Sequence, residues 1–276
     1  MLTATEISEL ENKASLIRQD IIKMLVEAGS GHTAGPLGLT DILTSLYFKI
    51  LKIDPKNPDL AERDRLVLSC GHYCPVLYAT LARAGYFPES QLQTLRKLGS
   101  KLQGHPHRES LLGLETTSGP LGSGLCEASG MALAGKMDGK DWRVICIMSD
   151  GEQDEGNTWE GVMLASKYKL DNLVALIDRN HIQIDGTTED IMPIDPLIDK
   201  YKSFGWEVIE IDGHDFNQII NAFEKPACRQ AGPTVIIANT IPGKGVSFME
   251  GKYEWHGKAP TKEEGERALE ELRIMN

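Results

Sequence analysis

Two short, wholly apolar runs, residues 144–148 (VICIM) and 173–177 (LVALI), flank one helix-length segment, 157–170, and this spacing constrains the fold more than any other feature. Each run is short for a helix and shows no polar alternation, the pattern of a strand covered on both faces in a parallel sheet. A strand, helix, strand unit closes by a right-handed crossover, which lays the second strand beside the first in the same direction. Asp150 and Asn180 follow the two runs, so both leave the sheet side by side at its carboxyl edge.

That edge is where open parallel sheets bind ligands. One carboxylate and one amide oxygen suit Mg²⁺, which is usually held by one or two protein groups together with phosphate oxygens and water. Gly151 has no Cβ to hold a phosphate away from the backbone, and the helix that follows offers free N–H groups and its positive dipole end. A helix end contributes only about 0.3–1 kcal/mol to holding an exposed anion. Against a diphosphate, the metal dominates. Asp-Gly after a strand is also an ordinary turn and Asn an ordinary cap, so the pair by itself fits both readings.

The rest of the chain alternates in the same way. Residues 6–28 carry apolar positions at helical spacing and end at Gly29. Four glycines and a proline within 29–38 exclude a regular helix or strand there, and a helix then runs from Thr40-Asp41 to about Ile50. A strand at 65–68 leads into Ser69-Cys70-Gly71-His72 and a helix to about Ala84. An irregular stretch, 99–124, precedes a small-residue helix at 126–137. Strands at 206–211 and 234–238 bracket a helix from Asp215, and a charged tail, 250–276, ends in a surface helix from Lys262. The expected fold is therefore α/β, a mostly parallel sheet with helices on both faces, as one domain spanning 1–276 with no repeat or linker. The segment Ile241-Pro242-Gly243-Lys244-Gly245 lacks the spaced first glycine and the Ser or Thr of a nucleotide loop.

Composition narrows the function. A net charge of -11 argues against nucleic acid and anionic membrane as partners, which need a basic surface. No stretch approaches the ~18 apolar residues of a spanning helix, and the first residues lack signal-peptide character, so a cytoplasmic protein is expected. Five cysteines, one of them (Cys146) inside an apolar run, do not form a secreted disulfide framework. Cys70 and Cys74 flank His72, but no second cysteine pair completes a zinc site and Pro75 follows at once.

His32, His72 and His105 each follow a glycine, and His256 precedes Gly257. One such histidine is ordinarily structural. Together these four suggest a polar cleft, because glycine clears space for a ligand. His107, His181 and His214 are read as structural or solvated.

With these motifs in order, the chain resembles the N-terminal part of transketolase. The resemblance rests on Ser30-Gly31-His32 with Pro36-Leu37-Gly38, Leu68-Ser69-Cys70-Gly71-His72, Gly104-His105-Pro106, residues 116–124, Asp150-Gly151 with Glu155-Gly156 and Glu160, residues 178–186, and His256-Gly257. It implies a thiamine-diphosphate-binding fold, and specifically its diphosphate-binding domain. It also implies transfer of a two-carbon ketol unit from a ketose phosphate to an aldose phosphate. By the same resemblance, Asp150, the Asn180 side chain and the Ile182 carbonyl hold Mg²⁺, with Ca²⁺ or Mn²⁺ as substitutes. His72 and the Gly151 N–H contact the diphosphate, and Gly119, Pro120 and Leu121 line the aminopyrimidine. His32 and His256 serve proton transfer and substrate hydroxyls, with His256 also near the diphosphate, and His105 bonds the donor's terminal hydroxyl. Glu155 and Glu160 belong to the subunit interface. Histidine suits these proton steps because its unperturbed pKa, about 6.5, lies near working pH. Three departures stand out: Ser149 in place of a glycine, Thr33-Ala34-Gly35 in place of Pro-Gly-Ala, and Arg179 beside the expected metal ligand Asn180.

Nothing in the sequence matches the pyrimidine-binding domain that carries the cofactor-activating glutamate, or the C-terminal domain. A start at Met1 and a charged final segment are what a separate subunit is expected to show. The expected partner is then a C-terminal transketolase subunit supplying the pyrimidine-binding domain, in a heterotetramer with two of each. Three other readings stay open. One is a relative acting on an unusual sugar, such as a sulfo-sugar or an apiose-type phosphate. The others are the α subunit of a 2-oxo acid dehydrogenase and a non-catalytic cofactor-binding module.

Overall fold

The structure, a computed structural model, describes residues 1–224 and 232–274. Cys228 lies outside the described residues. Among these, five strands form one sheet: β1 (Arg65–Leu68), β2 (Val144–Ser149), β3 (Leu173–Arg179), β4 (Glu207–Asp212) and β5 (Thr234–Asn239). Their order is β1-β2-β3-β5-β4 and every pairing is parallel. Every residue of β2 and β3 is buried, as the unbroken apolar runs require, whereas edge strand β4 alternates buried and exposed.

Period-two alternation divides the strand residues between two cores. Ile145, Ile147, Val174, Leu176 and Ile236 face α1 (Ala4–Ala28), α2 (Ala34–Gly38), α3 (Thr40–Ser45) and α4 (Cys74–Ala84). Val144, Cys146, Met148, Ala175, Ile177 and Val235 face α5 (Ser123–Met137) and α6 (Gly156–Lys167). Beyond β3 the chain adds the short α7 (Thr188–Ile191), α8 (Leu197–Ser203) and α9 (Phe216–Glu224), and α10 (Lys262–Ile274) packs on α1. Both faces are thus covered, and truncating a central residue such as Ile177 to Ala is expected to cost about 2–5 kcal/mol.

One expectation fails. Residues 29–38 are not irregular throughout, because Ala34–Gly38 forms a helical turn that leads into α3. Pro36 sits in the first turn, where its missing N–H has no intrahelical partner to lose. The glycines serve close approach, not a loop. A Cβ on Gly35 would lie 2.2 Å from the Tyr73 ring, and one on Gly38 2.9 Å from the Ile241 carbonyl oxygen. Packing overrides helix propensity at this point.

Candidate cofactor site at the carboxyl edge of the sheet

In β2 and β3, Ser149 pairs with Asp178, and the Asp150 N–H continues the ladder onto the Asp178 carbonyl at 3.2 Å. Asp150 and Asn180 therefore meet at the carboxyl edge. The Asp150 carboxylate accepts from the Gly151 N–H through Oδ1 (2.8 Å) and from the His181 N–H through Oδ2 (2.7 Å), with Arg179 Nη1 3.3 Å from Oδ2. Burial and the neighbouring Asp178 push its carboxyl up to about 7, against the pull of the two N–H donors and Arg179. The Gly151 N–H, expected to face a phosphate, is turned back onto Asp150.

Asn180 is oriented from behind. Its Nδ2 donates to the Tyr73 hydroxyl and to Asp178 Oδ2, both at 2.7 Å, which leaves Oδ1 as the free-facing oxygen, accepting only the Ile182 N–H at 3.1 Å. Tyr73 and Thr240 in turn donate to Asp178. After Asn180 the chain folds back through a bridge between Ile182 and Thr187. Among the described residues the Ile182 carbonyl accepts no hydrogen bond. A carboxylate, an amide oxygen and a backbone carbonyl form a hard-oxygen set of the kind that takes Mg²⁺ or Ca²⁺. Among the described residues no group of three or more His, Cys, Asp or Glu could hold a metal, so zinc at Cys70, His72 and Cys74 has no support. Cys70 points at the Ile147 carbonyl and Cys74 at those of Gln103 and Gly104.

Three of the four candidate histidines, His32, His72 and His256, form a cluster next to this corner. Ring centroids of His32 and His72 are 4.8 Å apart, and each lies 5.4 Å from that of His256. His32 Nδ1, His72 Nε2 and His256 Nδ1 are enclosed and have no hydrogen-bond partner among the described residues. Buried polar atoms are rarely left so, and three in one cluster are what a polar ligand would satisfy. Burial lowers the pKa of all three: to about 4 for His32, with His256 and Arg96 adding to it, and well below the usual range for His72. All three imidazoles are therefore neutral at neutral pH.

A cavity of about 250 Å³ joins the two groups. His32, His72, His105 and His256 line it together with Asp150, Gly151, Ile182, Gly119 and Leu121. Pro120 is exposed and stands outside that lining. His105 is also shared with a wider cleft of about 880 Å³ beside Arg96. Glu155 and Glu160 are exposed on the outer surface, away from the cavity lining. Of the remaining histidines, His214 is structural although it follows Gly213: Nδ1 meets Asp41 Oδ2 and Nε2 accepts the Ile241 N–H, both at 2.8 Å.

Two residues of consequence carried no sequence signal. Tyr73 reads as a core aromatic, and Glu152 as one member of a solvated acidic run, yet Glu152 is fully buried and accepts from Ser69, Gly122 and Ser149. Both act through residues remote in sequence.

Residues 10–274 match the family described as transketolase, thiamine diphosphate binding domain. The chain is 45% identical over 264 residues to the 6-deoxy-6-sulfo-D-fructose transketolase subunit SqwG of Clostridium sp., covering 96% of each. It is 41% identical to an apulose-4-phosphate transketolase subunit of Phocaeicola vulgatus, covering 97% of this chain and 95% of that protein. The transketolase structure from Campylobacter jejuni superposes with a TM-score of 0.88 at 34% identity, covering 99% of this chain but 43% of that one.

Proposed function

Because the chain belongs to the transketolase family through its thiamine diphosphate binding domain, we propose that it binds thiamine diphosphate with Mg²⁺ and forms one half of a ketol-transfer site. Asp150, Asn180 Oδ1 and the Ile182 carbonyl would hold the cation, and His72 the diphosphate, with the Gly151 N–H shared between Asp150 and a phosphate oxygen. Gly119 and Leu121 would border the aminopyrimidine, with Pro120 contributing only backbone shape. When bound, the cofactor supplies the nucleophilic carbon that carries a two-carbon fragment between sugars. This chain's own residues bind, orient and move protons. His32 and His256, kept neutral, can accept a proton from a sugar hydroxyl and return it, work worth roughly 10²–10⁴-fold in rate. His105, which lines both the cavity and the wider cleft, would meet the far end of a donor sugar.

The observation that carries this reading is the set of three enclosed, unpartnered imidazole nitrogens lining the same cavity as Asp150 and Ile182. That cavity is smaller than the ~300–1,000 Å³ usual for a small-molecule site. A half-site fits such a size. Both relatives are themselves named as subunits, which supports a partner chain; in this reading that partner would carry the pyrimidine-binding domain and its activating glutamate, in a heteromer with two of each. In this reading 1–276 is a single diphosphate-binding domain, and the exposed Glu155 and Glu160 face the partner. Calorimetry with thiamine diphosphate and Mg²⁺ tests it, with and without the copurified partner. Asp150→Ala should abolish Mg²⁺-dependent binding, and unchanged affinity would remove the assignment.

A second reading concerns the sugar. One relative is named for 6-deoxy-6-sulfo-D-fructose and the other for apulose 4-phosphate, which favours a donor of that kind over xylulose 5-phosphate. A ketol-transfer assay of the assembled enzyme over all three donors decides between them.

A further inference from the structure

Arg179 ends β3 beside the expected metal ligand Asn180, and its guanidinium is only 5% exposed. Nη1 reaches Asp150 Oδ2 at 3.3 Å and Thr188 Oγ1 at 2.8 Å, while Nη2 reaches Glu189 Oε1 at 3.0 Å and Asp195 Oδ2 at 3.1 Å. Between Asn180 and Asp195 the chain leaves the sheet, lays Ile182, Gln183 and Ile184 along the cavity, turns back at the 182–187 bridge, and passes through α7. One planar fork thus fastens this excursion at its middle and its far end, and joins both to Asp150.

We propose that Arg179 is a positioning residue that ties the metal corner to the 188–195 surface segment, so that affinity for a metal diphosphate depends on two carboxylates at the surface. The inference rests on Asp150 and Ile182 being the metal corner. Glu189 and Asp195 are 50% and 59% exposed, and they reach that corner through Arg179. Neutralising them leaves Asp150 its own charge and Arg179 its place in the strand. It frees the guanidinium to swing and the excursion to drift, which moves the Ile182 carbonyl. Lysine cannot replace the fork, because a single ammonium cannot span four oxygens in this planar arrangement.

The test is calorimetric titration of the full chain, with its partner where binding requires it, using Mg²⁺ with thiamine diphosphate and, separately, with inorganic pyrophosphate. The Glu189→Gln/Asp195→Asn double variant and Arg179→Lys should each bind about tenfold or more weakly, the usual scale for groups that orient metal ligands. Hydrogen exchange over 181–195 should rise in both, while the double variant stays folded, since buried Arg179 keeps Asp150 and Thr188 as partners. Asp150→Ala is run alongside. Lost binding in Asp150→Ala together with parental affinity in the double variant overturns the role of Arg179 alone. Parental affinity in Asp150→Ala overturns the metal corner, and the inference with it.

Discussion

The Tyr73 hydroxyl sits between Asp178 and Asn180, donating to the Asp178 carboxylate at 2.9 Å and accepting from Asn180 Nδ2 at 2.7 Å. Tyr73 lies just before α4 and Asn180 just past β3, so the orientation of the candidate metal ligand is fixed from 107 positions away. Tyr73→Phe keeps the ring packing and removes only the oxygen. One Asn180 N–H and one Asp178 lone pair then lose their buried partner, at about 1–3 kcal/mol. With the amide less firmly held, affinity for a Mg²⁺ diphosphate should fall about tenfold. Urea unfolding and calorimetry read the two effects separately, and unchanged affinity would mean that Asp178 alone orients Asn180.

Gly35 bears on the same tyrosine from the other side. An alanine Cβ there would come within 2.2–2.4 Å of three Tyr73 atoms, including the hydroxyl oxygen, which no small adjustment relieves. Overpacking of this kind costs about 1–3 kcal/mol, occasionally more. Gly35→Ala should therefore lower the thermal midpoint and, by displacing the hydroxyl, also weaken metal diphosphate binding. Stability lost with full binding retained would show that Tyr73 moves without disturbing Asn180.

What the sequence disclosed and what it hid follow from the range of the forces involved. The runs at 144–148 and 173–177 announce buried parallel strands because burial on both faces leaves its mark at every position, and the crossover rule then brings Asp150 to Asn180. The groups that steer those ligands have no such local mark. Tyr73, Thr240 and Glu152 act through hydrogen bonds to residues mostly far away in the chain, and nothing in a tyrosine after histidine or a glutamate among acids distinguishes them. The helical turn Ala34–Gly38 was hidden for the same reason, since its glycines answer to Tyr73 and Ile241.

The histidine cluster predicts a pH dependence. Burial lowers His32 to about 4, from about 6.5 in an unfolded chain, so the unfolded state binds the extra proton first. Stability tied to neutral His32 is complete above pH ~6.5 and is lost as pH falls toward ~4, on the order of 2 kcal/mol by pH ~4.5. Asp150 works in the opposite sense. Its carboxyl, raised to about 7, takes up a proton in the folded state as pH falls, and this larger shift offsets the loss from His32. The prediction therefore concerns a difference. His32→Gln should be less sensitive to acid than the parent between pH ~7 and ~4.5 by urea midpoint, and parallel profiles would show that His32 is not held neutral.

Glu152 offers a last test, on a residue outside the lining of the cofactor cavity. One oxygen, Oε1, accepts from the Ser69 hydroxyl and from the Gly122 N–H (2.6 Å), and the other, Oε2, from the Ser149 N–H (3.1 Å). A single carboxylate thereby gathers the ends of β1 and β2 and the turn that follows Gly119 and Leu121. Glu152→Gln keeps the shape but replaces one acceptor oxygen with an NH₂ group, which must face either the Ser149 N–H or the Gly122 N–H. A buried donor opposed to a donor, with a charged acceptor lost, should cost about 2–3 kcal/mol. If the turn depends on this acceptor, hydrogen exchange across 116–124 will rise more than at the sheet centre, and thiamine diphosphate affinity will drop while affinity for pyrophosphate with Mg²⁺ changes little, because Asp150 and Asn180 keep their own partners. Equal losses for both ligands would instead place Glu152 in support of the whole carboxyl edge.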